Sequence, residues 1–165
     1  MKNLNYLLII LGLVIFSSCN QEEFLKDGDY FHLSNDGAKL PIWVNGNMES
    51  DVIIITVHGG PGDGGIGMHL SRGFKMLEEN YMVCYWDQRF AALAQGHPDK
   101  NTINGDQYIE DTEKVVELIK HKYPGKSLFM LGHSWGGQLS AGYIGKDNNQ
   151  DKIKGWIDMC GSISS

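Results

Sequence analysis

Two hydrophobic periods alternate along the chain from residue 30 onward. Short apolar runs rich in β-branched residues predict strands, and the segments between them show the three-to-four-residue spacing of amphipathic helices. The predicted strands cover residues 30–33, 40–44, 52–57, 81–86, 127–131 and 153–159. The predicted helices cover residues 66–79, 107–122 and 135–146. Strands that alternate with helices predict an α/β fold, with a mostly parallel sheet and helices on both faces.

The N-terminal segment has the pattern of an export signal. Lys2 is the only charged residue before Cys19, and residues 6–16 form an apolar run. This run fits the core of a signal peptide, and it is shorter than the ~20 residues that a membrane-spanning helix needs. Small residues follow the run and are suited to cleavage by a signal peptidase.

The residues around the cysteine resemble a bacterial lipoprotein box, which reads Phe16-Ser17-Ser18-Cys19 here. In that class of protein the cysteine is lipidated and becomes the mature N-terminus. We therefore expect a lipoprotein signal peptide over residues 1–18, a polar tether over 19–29, and lipid anchoring in the bacterial cell envelope. An ordinary cleaved signal with an incidental cysteine is the alternative.

Composition and charge exclude several classes of function. The chain has 165 residues, 42% of them hydrophobic, which suits one folded domain over residues 30–165. Its formal charge is −6, and a nucleic-acid groove needs a dense basic face, so we expect no nucleic-acid partner. Cys19, Cys84 and Cys160 are too few and too scattered for a disulfide framework or a zinc site.

The strongest chemical signal is the run Gly132-His133-Ser134-Trp135-Gly136, between a predicted strand and a predicted helix. A serine hydroxyl is a poor nucleophile unless it is exposed to a base, and a sharp strand-to-helix turn provides that exposure. Gly132 and Gly136 relieve the crowding of such a turn. The pattern therefore predicts Ser134 as a nucleophile, and a glycine-rich turn with a chance serine is the alternative.

A second glycine-rich run, His58-Gly59-Gly60-Pro61-Gly62, directly follows the strand at 52–57. Its backbone N–H groups are able to point into a site, so Gly60 and Trp135 are the predicted donors to an oxyanion. We expect His58 to hold the shape of the loop instead of acting as the base, because it precedes the serine in the chain.

A dinucleotide site is a rival interpretation of the same glycines. Residues 60–65 satisfy the G-x-G-x-x-G pattern, and Asp87 ends the next predicted strand. Pro61 has no N–H to offer a phosphate. A dinucleotide-binding fold would also begin with the strand at Val52, but two predicted strands precede it. We therefore disfavour nucleotide binding.

These motifs together resemble the α/β-hydrolase superfamily and, more narrowly, the proline iminopeptidase group of serine peptidases. The resemblance rests on His58–Gly62, Trp86–Arg89 and Gly132–Gly137, in this order and spacing. It implies Ser134 as the nucleophile and no metal or organic cofactor. It also implies that the Gly60–Pro61 peptide can be cis. Structural roles around the site are expected for His58, Gly59, Pro61, Gly62, Asp87, Arg89, Gly132 and Gly136.

The chain departs from the family pattern at two places. Phe90 stands where the family usually has a glycine, so we expect the following loop to be strained or re-routed. The family triad runs serine, acid, histidine, but no histidine follows Ser134 in these 165 residues. Asp158 is the later acid nearest to the predicted site, and an ordinary strand-end role is the simpler account of it.

We therefore expect a sheet truncated after about the sixth strand, in the N-terminal half of a longer enzyme that is inactive by itself. A separately encoded C-terminal half is a candidate partner. The parent activity would be that of an aminopeptidase that releases N-terminal proline or a similar residue from short peptides. An esterase of the same fold and a non-catalytic envelope binding protein are the alternatives.

Overall fold

The computed structural model describes residues 28–161. The predicted signal peptide, Cys19 and most of the predicted tether lie outside the described residues. Within the described range, no helix combines the length and the apolar character that crossing a membrane requires.

Strands and helices alternate in the order that the hydrophobic pattern predicts. Within residues 28–161 there are seven strands: β1 Asp29–Asn35, β2 Ala38–Gly46, β3 Val52–Val57, β4 Met82–Trp86, β5 Gln95–Gly96, β6 Ser127–His133 and β7 Gly155–Met159. The same range contains four α-helices: α1 Gly65–Leu70, α2 Arg72–Glu78, α3 Gly105–Lys122 and α4 Trp135–Gly145. Short 3₁₀ turns lie at Lys100–Thr102 and Asn149–Lys152.

The strands form one mixed sheet in the order β1-β2-β4-β3-β6-β7, and β5 pairs with β2. The hairpin β1–β2 and the pair β2–β4 are antiparallel, whereas β4, β3, β6 and β7 run parallel. The predicted mostly parallel sheet is confirmed. Asp36 and Gly37 turn the hairpin with φ values of +41° and +75°, as a tight two-residue turn requires.

Two apolar clusters cover the two faces of the sheet. In the central strand β3, Ile53 and Ile55 belong to the cluster that includes α3 and α4, while Ile54 belongs to the cluster that includes α1 and α2. Since side chains alternate along a strand, a continuously apolar β3 requires helices on both faces. A fully buried aliphatic side chain of this kind contributes about 1.5–3 kcal/mol to stability.

The connections to the helices of the two faces begin at the carboxyl ends of β3 and β6. The chain leaves β3 toward α1 on one face and leaves the neighbouring strand β6 toward α4 on the other. Adjacent parallel strands whose connections diverge in this way open a crevice at the carboxyl edge of the sheet. The two glycine-rich runs lie at this crevice.

One predicted helix is divided in the structure. The segment 66–79 forms α1 and α2, separated at Ser71, whose backbone is extended with φ −77° and ψ +143°. The apolar spacing of Leu70, Phe74 and Leu77 continues through this break, so the pattern gives no sign of it. Leu70 is consequently exposed, while Phe74 packs in the core beneath α2.

Candidate active site

Ser134 sits on a sharp turn between β6 and α4. Its backbone has φ +53° and ψ −121°, and its side chain is exposed. A residue with a Cβ atom is strained in this left-handed region by roughly 1–3 kcal/mol, so the surrounding structure must hold it there. The Ser134 N–H donates to the Met159 carbonyl over 2.9 Å, which ties the turn to the end of β7.

The glycines on either side of the serine are required by close backbone contacts. A Cβ atom on Gly132 would lie 2.5 Å from the Gly136 carbonyl oxygen and 2.6 Å from Ser140 Oγ. A Cβ atom on Gly136 would overlap the carbonyl group of Val57. The first turn of α4 therefore lies directly against the ends of β3 and β6, as a turn that exposes a nucleophile requires.

The loop after β3 lies against this turn. A Cβ atom on Gly59 would be 3.2 Å from Ser134 Cβ. Gly60 has φ +113°, and the peptide between Gly60 and Pro61 is cis. Gly60, Pro61 and Gly62 are exposed. The structure thus brings the two predicted oxyanion segments to one crevice, and the donor roles of Gly60 and Trp135 stay predictions.

His58 is buried, and hydrogen bonds occupy both of its ring nitrogens. Nδ1 lies 2.8 Å from the Gly59 carbonyl oxygen, which only accepts, so Nδ1 carries the proton. Nε2 accepts from the Gln88 backbone N–H over 3.0 Å. Burial lowers the pKa of His58, and the hydrogen bond to Gly59 opposes this shift. His58 is therefore held neutral as part of the loop, and this arrangement provides no base for Ser134.

Asp87, at the end of β4, anchors two backbone segments. One carboxylate oxygen accepts the N–H of Gly65 at the start of α1, and the other accepts the N–H of Leu93, both over 2.8 Å. Burial raises the pKa of Asp87, and these two hydrogen bonds act in the opposite direction. Because the Gly65 N–H is donated to a carboxylate, it is not available to a phosphate, which argues against the dinucleotide interpretation.

Arg89 connects the same segment to α3. Its Nε and Nη2 donate to the two carboxylate oxygens of Asp111 over 2.6 and 2.7 Å, and both side chains are fully buried. Asn35 donates to the same carboxylate over 2.8 Å. Sequence reasoning missed Asp111 as the partner. The sequence feature that could have revealed this partner is the position of Asp111, a charged residue on the apolar stripe of α3 between Tyr108 and Val115.

The loop after Arg89 is strained in the way that the missing glycine predicts. Phe90 has φ +59° and Ala92 has φ +34°, both in the left-handed region that favours glycine. Phe90 is 44% exposed. It lines a cavity of about 250 Å³, bounded by Phe90, Ala94, Gln95, Gly96, His97, Pro98 and Lys100.

Asp158 has a local structural role at the end of β7. One carboxylate oxygen accepts the Gly161 N–H over 2.9 Å, and the side chain is exposed. A Cβ atom on Gly137 would collide with this carboxylate, so the acid lies over the first turn of α4. Its hydrogen bond closes a turn within its own segment, in keeping with the strand-end account.

Comparison with known proteins identifies the family to which these elements belong. The family described as serine aminopeptidase, S33, matches residues 48–164, a range that contains both the loop after β3 and the serine turn. The chain belongs to the serine aminopeptidase S33 family. The resemblance that rests on His58–Gly62, Trp86–Arg89 and Gly132–Gly137 is therefore confirmed.

Three proteins whose names describe peptidases or a lipase are similar in sequence to this chain. The chain is 29% identical to the probable aminopeptidase YbaC of Bacillus subtilis over 109 residues, 66% of this chain and 34% of that protein. It is 30% identical to the proline iminopeptidase of Thermoplasma volcanium over 112 residues, 68% and 35% of the two chains. It is 28% identical to the monoglyceride lipase of Saccharomyces cerevisiae over 132 residues, 74% and 40% of the two chains. The chain thus spans between a third and two fifths of these relatives.

Solved structures show the same fold. A proline iminopeptidase-related protein of Thermus thermophilus superposes with a TM-score of 0.67 and 21% identity, covering 83% of this chain and 46% of that one. A thioesterase domain from the curacin biosynthetic pathway gives a TM-score of 0.65 and 17% identity, covering 84% and 48% of the two chains. The chain therefore has the α/β-hydrolase fold, and it spans slightly less than half of each of these two structures.

Proposed function

We propose that this chain carries the nucleophile and oxyanion hole of an aminopeptidase that releases N-terminal proline or a similar residue from short peptides. The observation that carries the proposal is the exposed Ser134, held at φ +53° with the Gly59–Gly60 loop against it, in a chain of the S33 family. Similarity to an aminopeptidase and to a proline iminopeptidase supports the substrate class.

The proposed reaction is acyl transfer through Ser134. Its Oγ attacks the carbonyl carbon of the scissile bond, and the N–H groups of Gly60 and Trp135 stabilise the negative oxygen. A base takes the Oγ proton and returns it to the leaving amine. Water then releases the acyl group from the serine.

The base and the acid that orients it belong to another part of the proposed enzyme. Both ring nitrogens of His58 are occupied, and no histidine follows Ser134 in these 165 residues. We propose that a further polypeptide segment, on the same chain or on a separately encoded partner, brings the acid and the histidine to the crevice. A positioned base typically contributes ~10²–10⁴-fold to the rate, so these residues alone are expected to be inactive.

The test is complementation. The chain is joined to the part of the Thermoplasma volcanium proline iminopeptidase that lies C-terminal to the matched region, and this completed enzyme is assayed with prolyl and alanyl arylamides. We expect turnover in the completed enzyme, none in the 165 residues alone, and none in the completed Ser134→Ala variant. Ser34→Ala, at an exposed serine of β1, is the matched control and retains full activity. Activity that survives Ser134→Ala would contradict the proposal.

An esterase is the second candidate function, favoured by the similarity to a monoglyceride lipase. It uses the same serine and the same oxyanion donors, so only the substrate distinguishes it. The completed enzyme is therefore also assayed with a short-chain aryl ester and a monoacylglycerol. Hydrolysis of esters without hydrolysis of arylamides would select the esterase. If neither substrate class reacts, the alternative of a non-catalytic binding protein is selected.

A further inference from the structure

Gln88 is a fully buried amide between the two segments that carry the proposed oxyanion donors. Its Nε2 donates to the His58 carbonyl oxygen over 2.9 Å. Its Oε1 accepts the indole N–H of Trp135 over 3.2 Å. Its backbone N–H donates to His58 Nε2. One residue therefore contacts the loop after β3 at two points and the first residue of α4 at a third.

The two side-chain partners have opposite polarity, so they fix the orientation of the amide. A carbonyl oxygen only accepts, and an indole N–H only donates. A carboxylate in the same place would accept from the indole but repel the His58 carbonyl. A thioether has no hydrogen to donate to that carbonyl and accepts only weakly from the indole. Glutamine is thus the side chain of this length that satisfies both without a change of protonation.

The neighbouring residues hold Gln88 from the other side. Asp87 anchors the start of α1, and Arg89 is paired with Asp111 on α3. Tyr108 of α3 donates to the Arg89 carbonyl over 3.3 Å and packs edge-on against the Trp135 ring at 6.2 Å. The segment that carries Gln88 is therefore held by contacts to both α1 and α3.

We propose that Gln88 is a positioning residue that fixes the distance between the N–H of Gly60 and the N–H of Trp135. Its catalytic consequence rests on the proposed function. Gly60 and Trp135 lie 75 residues apart in the chain. The Gln88 amide bonds to a residue of each segment and so bridges them directly. Loss of the amide is expected to let the loop move relative to the serine turn.

The first arm of the test measures loop motion in the 165-residue chain, without reference to activity. Backbone ¹⁵N relaxation gives an order parameter for each amide, ~0.85 where rigid and below ~0.6 where flexible. We expect rigid amides at Gly59 and Gly60 in the wild type and lower values in Gln88→Met, with a shifted indole resonance of Trp135. Gln150→Met makes the same chemical change at an exposed glutamine. We expect it to leave the order parameters of Gly59 and Gly60 and the indole resonance of Trp135 unchanged.

The second arm measures kinetics in the completed enzyme. Gln88→Met is expected to lower kcat about 10- to 100-fold with KM nearly unchanged, less than the ~10²–10³-fold that removal of a whole donor costs. Gln88→Glu adds a pH profile. A protonated carboxyl donates to the His58 carbonyl and accepts from Trp135, whereas the ionised form loses the donor. Since burial raises a carboxyl pKa, kcat relative to wild type is expected to rise as the pH falls.

The outcomes separate this inference from the proposed function. Lower order parameters in Gln88→Met support the inference even if the completed enzyme proves inactive. An inactive completed enzyme would count against the proposed function alone. Unchanged order parameters at Gly59 and Gly60 would overturn it. The inference would also be overturned if Gln88→Met lowered the stability without changing kcat and if the ratio of the Gln88→Glu kcat to the wild-type kcat did not vary with pH. Gln88 would then have a structural role only.

Discussion

Phe90 shows at the scale of one residue how this chain tolerates a departure from its family. It holds φ +59° where a glycine would be unstrained, and the residue is 44% exposed at the edge of a cavity. The sequence predicted strain here because the position after Arg89 usually carries glycine in the family. It did not predict the second left-handed residue, Ala92, because the path of a loop depends on the contacts it makes after folding.

The backbone strain at Phe90 is measurable with a pair of variants that both remove the ring. We expect Phe90→Gly to be more stable than Phe90→Ala by about 1 kcal/mol, because only glycine adopts this φ without a steric cost. The free energy of unfolding in urea measures the difference. At Ile103, an exposed residue with φ −80°, the order is expected to reverse, with alanine the more stable. Equal stabilities of the two Phe90 variants would show that no strain is present.

His58 makes the stability of the chain depend on pH. Burial lowers its pKa in the folded state below the ordinary value of 6.5, so the unfolded chain binds the proton more readily. The stabilisation is therefore present above about pH 6.5 and is lost as the pH falls below it. We expect His58→Gln to flatten the pH dependence of the unfolding free energy between pH 7 and 5. His121→Gln, at an exposed histidine, should leave the slope as it is.

At the scale of the elements, the hydrophobic pattern predicted whether a segment is a helix or a strand more securely than it predicted breaks within a helix or contacts between elements. It placed β3 at 52–57, as observed, because the run is apolar and β-branched throughout. It placed α3 at 107–122, and the helix begins two residues earlier, at Gly105, where Asn104 accepts the Gln107 N–H. It missed the break at Ser71, since periodicity reports which faces are buried and not whether the backbone between them is continuous.

The buried ion pair between Arg89 and Asp111 joins α3 to the end of β4. We expect Asp111→Asn to destabilise the chain by about 3–5 kcal/mol, because it leaves the Arg89 charge buried without a counter-charge. Urea unfolding measures the loss. Asp106→Asn, at an exposed acid of the first turn of α3, is the matched control and changes stability by about 0.5 kcal/mol or less.

Replacing both partners separates the charge from the packing. Arg89→Met combined with Asp111→Leu is expected to recover part of the lost stability, since no buried charge remains. If Asp111→Asn proves as stable as wild type, the pair does not hold α3 to the sheet.

For the whole molecule, the sequence predicted the serine turn and the glycine loop but not how they are tied together. The glycines around Ser134 are required by the steric crowding of the turn itself, so the motif can be recognised from one short segment of the sequence. The contacts of Gln88 link residues far apart in the chain, and the strand order that brings them together is not encoded in any local pattern. Likewise, the occupied nitrogens of His58 become visible only once β3 and β4 lie side by side.

Attachment to a membrane is a separate prediction for the whole molecule and rests on the sequence around Cys19. Cys19→Ser is expected to abolish incorporation of labelled palmitate in a bacterial host and to move the protein out of the membrane fraction. Cys160→Ser, at an exposed cysteine that follows β7, is the control and retains the label. A wild-type chain that takes up no label would contradict the lipoprotein prediction.

The central claim is that Ser134 is the nucleophile of a serine hydrolase. The most direct measurement is mass spectrometry of the completed enzyme after reaction with a fluorophosphonate, which forms a stable phosphonyl ester on an activated serine. We expect one adduct, on the peptide that contains Ser134, no adduct in Ser134→Ala, and an unchanged adduct in Ser34→Ala. An adduct on another residue, or hydrolytic activity without any adduct at Ser134, would contradict the claim.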